Sequence, residues 1–486
     1  MLSILVCFPV LSGLVLLALR IGDRRRRNMA VFAVTALTSV LTWTAILCFP
    51  GATQTLLHLM PGIDIGLRLD GAASVFAGLV AFLWPLAVLY GFEYMEQEGG
   101  ENHFFAMYTM TYGITLGVAM AADVLTLYLF YEFLSVATLP LVIHGSSPAS
   151  CRAGRMYMYY CFAGAAVAFI GVMILLAVGA GNFAQPGIQE LGDGLLSGNA
   201  VHVAFACCFL GFSVKAAMFP FHSWLPEAAV APTPVTALLH AVAVVKSGAF
   251  AVLRVVYFCF GIGIVREMHA QNLMLILASI SIVYGSLQAV REHHFKRRLA
   301  WSTVSNLSYI LLAVSICSRA GLTAGLCHLV FHAVIKITLF YCAGAILIRT
   351  GKTQVEELRG LGRKMPLTCG VYAVAAVALT GTPLLPGFVS KWLIGTALVE
   401  EGQLIPMLGV AALLISAVLT AIYVLTPVFF MFFRAPLEET EEESVNLDPG
   451  LRMKIPLVIL AVTILLMGLC SNQVVSIVSS IAANLL

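Results

Sequence analysis

Four lysines, Lys215, Lys246, Lys336 and Lys391, lie inside apolar runs long enough to cross a membrane. An ionisable side chain at the centre of a spanning helix costs about 2.5–3.5 kcal/mol on insertion scales. Left unpaired, the four would together cost roughly 12 kcal/mol, as much as the whole net stability of a typical fold. Such a chain must turn them toward partner charges, water or its own interior. Between Lys215 and Lys246 the sequence is broken by Pro220, Pro226, Pro232 and Pro234, and a second break, Thr380 to Gly387, precedes Lys391. Irregular backbone at membrane depth is tolerated only where it is buried or lines a wet cavity. Deep lysines beside broken helices read as an ion pathway.

Composition agrees with a polytopic membrane protein. Of 486 residues, 60% are apolar and only 10% charged, which no soluble domain matches. The twelve cysteines include no CxxC pair and read as small buried hydrophobes, so no iron–sulfur, haem or zinc site is expected and no cofactor is assigned to the chain. Without a glycine-rich phosphate loop, nucleotide chemistry is not expected, and nothing points to nucleic acid. The lipid bilayer is the expected surrounding. The first apolar run has no basic residue before it and RIGDRRRR after it, so it reads as a spanning helix rather than a cleaved signal.

At about 20 apolar residues per span, the chain holds about fourteen candidates: 2–20, 29–49, 71–92, 104–122, 123–144, 155–178, 200–219, 234–260, 271–291, 299–317, 322–348, 370–400, 405–433 and 453–483. The turn at Ala121-Ala122-Asp123 between the fourth and fifth is very tight. With the N-terminus outside, nineteen lysines and arginines fall in inner loops and three, Arg68, Arg266 and Arg319, in outer ones. The basic excess of inner loops places both termini outside, in a cell inner membrane. The acidic run Glu438 to Glu443 reads as a solvated linker in the last inner loop. Paired interrupted segments point to a site built from inverted repeats.

Glu132 is the one acid deep in a span and a natural partner for a buried lysine. His328, His332 and Lys336 recur every four residues and share a helix face; imidazole titrates near neutrality and passes protons through either nitrogen. A metal is not expected there, because no third ligand follows. His240 precedes Lys246 by six residues, roughly 240° around an ideal helix, so it is expected to face the broken seventh span instead, as a possible relay. His144 is a possible inner entry group. Asp123 reads as a helix N-cap, Asp70 as structural, and Arg254 as a residue near a helix end that snorkels to the surface.

The phrases FPFHSWLPEA, APTPV and ALLHAV, followed by Lys246, resemble the core signature of the antiporter-like subunits of respiratory complex I, Mrp-type sodium/proton antiporters and energy-converting membrane nickel–iron hydrogenases. The resemblance implies an all-α polytopic membrane protein of about fourteen helices. Two inverted five-helix repeats would carry broken helices 7 and 12, within a single membrane domain (1–103, 104–260, 271–433, 453–486). The chain resembles the shorter type that lacks a lateral helix after the core. The family pattern sets Glu132 against Lys215, makes His328, His332 and Lys336 the connection between half-channels, and makes Lys391 the exit. It implies a proton-translocating subunit driven by neighbours: homologous antiporter-like subunits and other membrane subunits, with nickel–iron and iron–sulfur peripheral subunits as further candidates. The alternatives are a component of a Mrp-type sodium/proton antiporter and an inactive membrane scaffold.

Overall fold

The computed structural model describes residues 1–60, 63–185, 187–188, 190–191, 197–436 and 446–485. The acidic run Glu438 to Glu443 lies outside them. The chain opens with α1 (Leu2–Leu19) and α2 (Arg24–Cys48), then a hairpin of β1 (Thr53–Met60) and β2 (Ile63–Arg68). There follow α3 (Gly71–Glu98), α4 (Glu101–Ala119), α5 (Val124–Val142), α6 (Pro148–Ala177) and α7 (Gly198–Ser213). After short α8 (Trp224–Glu227) come α9 (Thr233–Ala241), α10 (Val244–Arg254), short α11 (Ile262–Glu267), α12 (Ala270–Arg291), α13 (Phe295–Ser315) and α14 (Arg319–Thr350). The chain closes with short α15 (Leu361–Lys364), α16 (Pro366–Thr380), α17 (Pro386–Glu400), α18 (Leu404–Phe433), α19 (Leu451–Leu469) and α20 (Ser471–Leu485).

Each expected span holds helix. Ten of the described helical segments are long and apolar enough to cross a membrane by themselves. Four expected spans are not among the ten: those around α7 and α16–α17 are cut short by breaks, and those around α4 and α13 are polar. The latter two carry Thr109, Thr111 and Thr115, and Ser302, Thr303, Ser305, Asn306 and Ser308, all buried. A helix walled in by other helices meets no lipid and need not be apolar all round. The last expected span is two helices, parted at Cys470.

Among the described residues three segments are interrupted around the lysines, not two. α7 stops at Ser213, and Lys215 lies in the break. The freed backbone groups are met by side chains: Trp224 Nε1 donates to Val214 O at 2.9 Å, and the Phe219 amide donates to Ser281 Oγ at 2.8 Å. α16 stops at Gly381, in the left-handed region at φ 95°, and α17 restarts at Pro386. The eighth span also breaks: Val242, at φ −131° and ψ −61°, parts α9 from α10, and the span ends in a π-helical turn at Val255–Phe260.

The core is α9–α10 with α14. The most apolar stretch of Thr233–Phe260 is wholly buried, whereas those of α1 and α2 are only one-third buried, so these two helices form a flank. The hairpin lies across the ends of α4 and α5, where the Gly66 amide donates to Thr126 Oγ1 at 3.0 Å and the Arg68 amide to Met120 O at 2.6 Å. The all-α expectation missed this ribbon. It also fills the tight turn between the fourth and fifth spans, through a bridge from Leu67 to Ala121. Asp123 is the N-cap of α5, accepting from the Thr126 amide and hydroxyl at 2.7 Å.

Candidate functional site

Lys215 is wholly buried, and its Nζ lies 3.6 Å from Glu132 Oε1 on α5. The Nζ also donates to the carbonyl of Tyr131 and sits 3.3 Å above the centre of that ring. The break in α7 makes this possible, because it frees Lys215 from a helix ladder. Gly248 on α10 lies against the Lys215 backbone; a Cβ there would fall 2.5 Å from the Ala216 nitrogen. Glycine thus lets α10, and with it Lys246, approach the break.

Among the described residues Lys246 meets no carboxylate. Its Nζ lies 2.6 Å from Nδ1 of His332 on α14. One turn away, His328 stacks on His332 with ring centres 5.6 Å apart and planes 10° apart. His328 Nδ1 lies 2.9 Å from Ser390 Oγ, and its Nε2 lies 3.2 Å from Asn306 O. Ser390 is the chain neighbour of Lys391, which reaches back to the end of α16 and donates to Leu379 O at 2.8 Å and Thr380 O at 3.0 Å. A cation on the last carbonyls of a helix meets their partial negative charge. Lys336 donates to Leu299 O at 2.8 Å and to Ser302 Oγ, both on α13.

Among the described residues the one ion pair made by these four lysines is Lys215–Glu132. Lys215, Lys336 and Lys391 are held by backbone carbonyls, and Lys246 by an imidazole. A carbonyl can hold an ammonium without fixing its charge as a carboxylate does. Lys246, Lys336 and Lys391 can therefore change protonation state without breaking an ion pair.

Two expectations are corrected. Arg254 does not snorkel. It is wholly buried and grips Asp70 through two bonds of 2.7 Å, under the rings of Phe183, Phe250 and Phe258. Asp70 is also the N-cap of α3, accepting from the Ala73 amide at 2.9 Å, so the pair ties α10 to the start of α3. His240 does not face the seventh span. Its ring lies 4.8 Å from Phe340 on α14, because the break at Val242 reorients α9 against α10. His144 sits just past the C-terminal end of α5, with Nε2 3.0 Å from Gly99 O, and burial there holds its imidazole below the ordinary range.

Sequence reasoning missed Tyr131, Ser302, Asn306 and Ser390, which serve the lysines and histidines, and Lys296, which it counted as a loop residue. The polar run Ser302 to Ser308 inside a span was the available signal for the α13 residues.

Residues 121–420 match the family described as NADH:quinone oxidoreductase/Mrp antiporter, TM. The NADH-quinone oxidoreductase subunit N of Desulforudis audaxviator (strain MP104C) is 30% identical over 428 residues, 86% of this chain and 84% of that protein. A probable K(+)/H(+) antiporter subunit of Rhizobium meliloti (strain 1021) is 30% identical over 418 residues, which cover 85% of this chain but 41% of the relative. A chain of the membrane-bound sulfane sulfur reductase, an archaeal respiratory membrane complex, matches with a TM-score of 0.87 at 25% identity, covering 100% of this chain and 99% of its own. With the family signature matched through the residues that hold every interrupted helix and buried lysine, the chain belongs to the NADH:quinone oxidoreductase/Mrp antiporter family of membrane subunits.

Proposed function

We propose that this chain moves protons across the membrane as one subunit of a redox-driven complex. The observation that carries the reading is the line from part-exposed Glu132 and buried Lys215, past buried Lys246, His332 and His328, to Ser390 and part-exposed Lys391. A proton enters from the inner side, and the Glu132–Lys215 pair gates its first transfer. It passes by way of Lys246 to the His332, His328 and Lys336 region and leaves outward through Lys391. Ordered water bridges the gaps between these groups. The driving force comes from partner subunits, other membrane subunits of the same complex among them. The redox reading draws on two of the relatives described above, one from an oxidoreductase and one from a reductase.

The test uses the native complex, purified and placed in liposomes with an internal pH dye and an imposed potassium potential. Lys215→Ala and Glu132→Gln should each cut proton flux about tenfold or more, the scale of a lost proton-transfer group. Wild-type flux in both would leave the chain a scaffold. Mass spectrometry of the co-purifying chains identifies the parent complex, and redox subunits among them are expected.

A role in a cation/proton antiporter is the second reading, favoured by the Rhizobium relative. Flux that requires sodium or potassium on the opposite side would select it. Sodium prefers hard oxygen ligands, and Glu132 alone offers few, so a partner would complete the site.

A further inference from the structure

Lys296 looks like one of three basic loop residues in a row, yet it begins α13 and is only 6% exposed. Its Nζ donates to Ala231 O at 2.8 Å. The same carbonyl accepts Thr236 Oγ1 at 2.9 Å. Thr233, Thr236 and His240 lie on one face of α9 at three- and four-residue spacing. Thr233 Oγ1 donates to the Tyr94 hydroxyl at 3.1 Å. Tyr94 lies one turn before Glu98, the exposed last residue of α3, and Glu98 is within Coulombic reach of Lys296.

At the other end of this string His240 is wholly buried, and neither ring nitrogen has a hydrogen-bond partner among the described residues. An unpaired polar group in the interior costs about 1–3 kcal/mol, so packing alone gives no reason for histidine here. Its ring lies tilted against that of Phe340, and Lys336 Nζ lies 5.8 Å from the centre of that same ring. Lys246, Lys296 and Lys336 all act on His240 electrostatically. The ends of α3, α9 and α13 that carry Glu98, Ala231 and Lys296 are those the basic loops mark as inner.

We propose that Glu98, Tyr94, Thr233, Lys296, Thr236 and His240 form a second proton inlet from the inner face, feeding Lys336 without passing Lys215. The inlet rests on the proton-moving function proposed above. Lys296, as an ammonium, gives its proton through the Thr236 hydroxyl and bridging water to neutral His240. The resulting imidazolium releases the proton on its other nitrogen to the neutral amine of Lys336. Lys296 regains a proton from the inner aqueous face by way of Glu98. Only N–H and O–H bonds form and break, and one proton moves along α9 from its inner end toward the membrane middle.

The test uses the complex in liposomes with the imposed potential. Lys296→Arg keeps the charge and the bond to Ala231, but an arginine does not give up its proton. Each inlet loads one proton per turnover and the cycle waits for both, so this variant should lower flux about tenfold or more while the complex still assembles. Thr236→Val should do the same, and Thr236→Ser should restore the flux. If Lys296→Arg and Thr236→Val both carry wild-type flux, these residues are structural and the inlet is wrong. Should the arginine variant fail to assemble, the valine and serine pair at position 236 decides. Lys215→Ala runs alongside: lost flux there with intact flux in the α9 variants overturns the inlet alone, whereas wild-type flux in Lys215→Ala overturns the functional reading itself.

Discussion

The Arg254–Asp70 pair is built differently from the lysine line. Two bonds of 2.7 Å and three flanking rings fix both charges, and neither side chain is free to turn. Removing one member of a buried pair leaves the other unpaired and costs about 3–5 kcal/mol. Arg254→Ala should therefore lower the melting temperature of the purified complex sharply. Adding Asp70→Asn, which keeps the cap on α3 but removes the stranded charge, should recover much of the loss. A double variant as unstable as the single one would mean that the packing of Arg254, not its charge, holds α10 in place. In the sequence Arg254 was visible as a charge, but its partner lies 184 residues away, and no local pattern joins them. Lys215, Lys246, Lys336 and Lys391 were legible because an apolar run isolates a charge. Lys296 was not, because its neighbours Arg297 and Arg298 made it look like part of a basic loop.

At the scale of elements, breaks in helices position the site. The sequence announced the breaks at Pro220 and Pro383 through proline and glycine. It did not announce the one at Val242, which no breaker residue marks, and the ideal-helix angle between His240 and Lys246 failed for that reason. The loop between α14 and α16 has its own device. The Glu357 carboxylate accepts from the amides of Thr353 and Gln354 at 2.8 Å and closes a capping box with Gln354. Those amides hold the carboxyl below its ordinary range. A carboxyl whose folded value is depressed contributes above its unfolded value, about 4.3, and the contribution is lost as pH falls through the folded value. Glu357→Gln should thus speed amide exchange in segment 353–358 at neutral pH. The difference from the parent should close under acid. A difference that persists there would assign the cap to packing rather than charge. The side chain is only half-buried, so the effect is local rather than global.

At the scale of the whole molecule, α14 is the longest described helix, with 32 residues. At 1.5 Å per residue it is about 48 Å long, against about 30 Å of hydrocarbon, so it tilts or projects at both ends. His328, His332 and Lys336 bracket its middle, and the break that holds Lys215 and the one that precedes Lys391 divide their own spans. The line therefore runs near mid-depth, across the bundle rather than through the membrane. A unit charge crossing the whole bilayer gains or loses about 2.3 kcal/mol per 100 mV. A charge that moves sideways at constant depth does almost no electrical work. On the proposed function, a hand-over from Lys246 through His332 and His328 to Lys391 would be blind to membrane voltage, and the inlet and outlet steps would feel all of it. Where one of those vertical steps limits turnover, flux should steepen with applied voltage; in a variant slowed at His332, the same voltage series should run nearly flat.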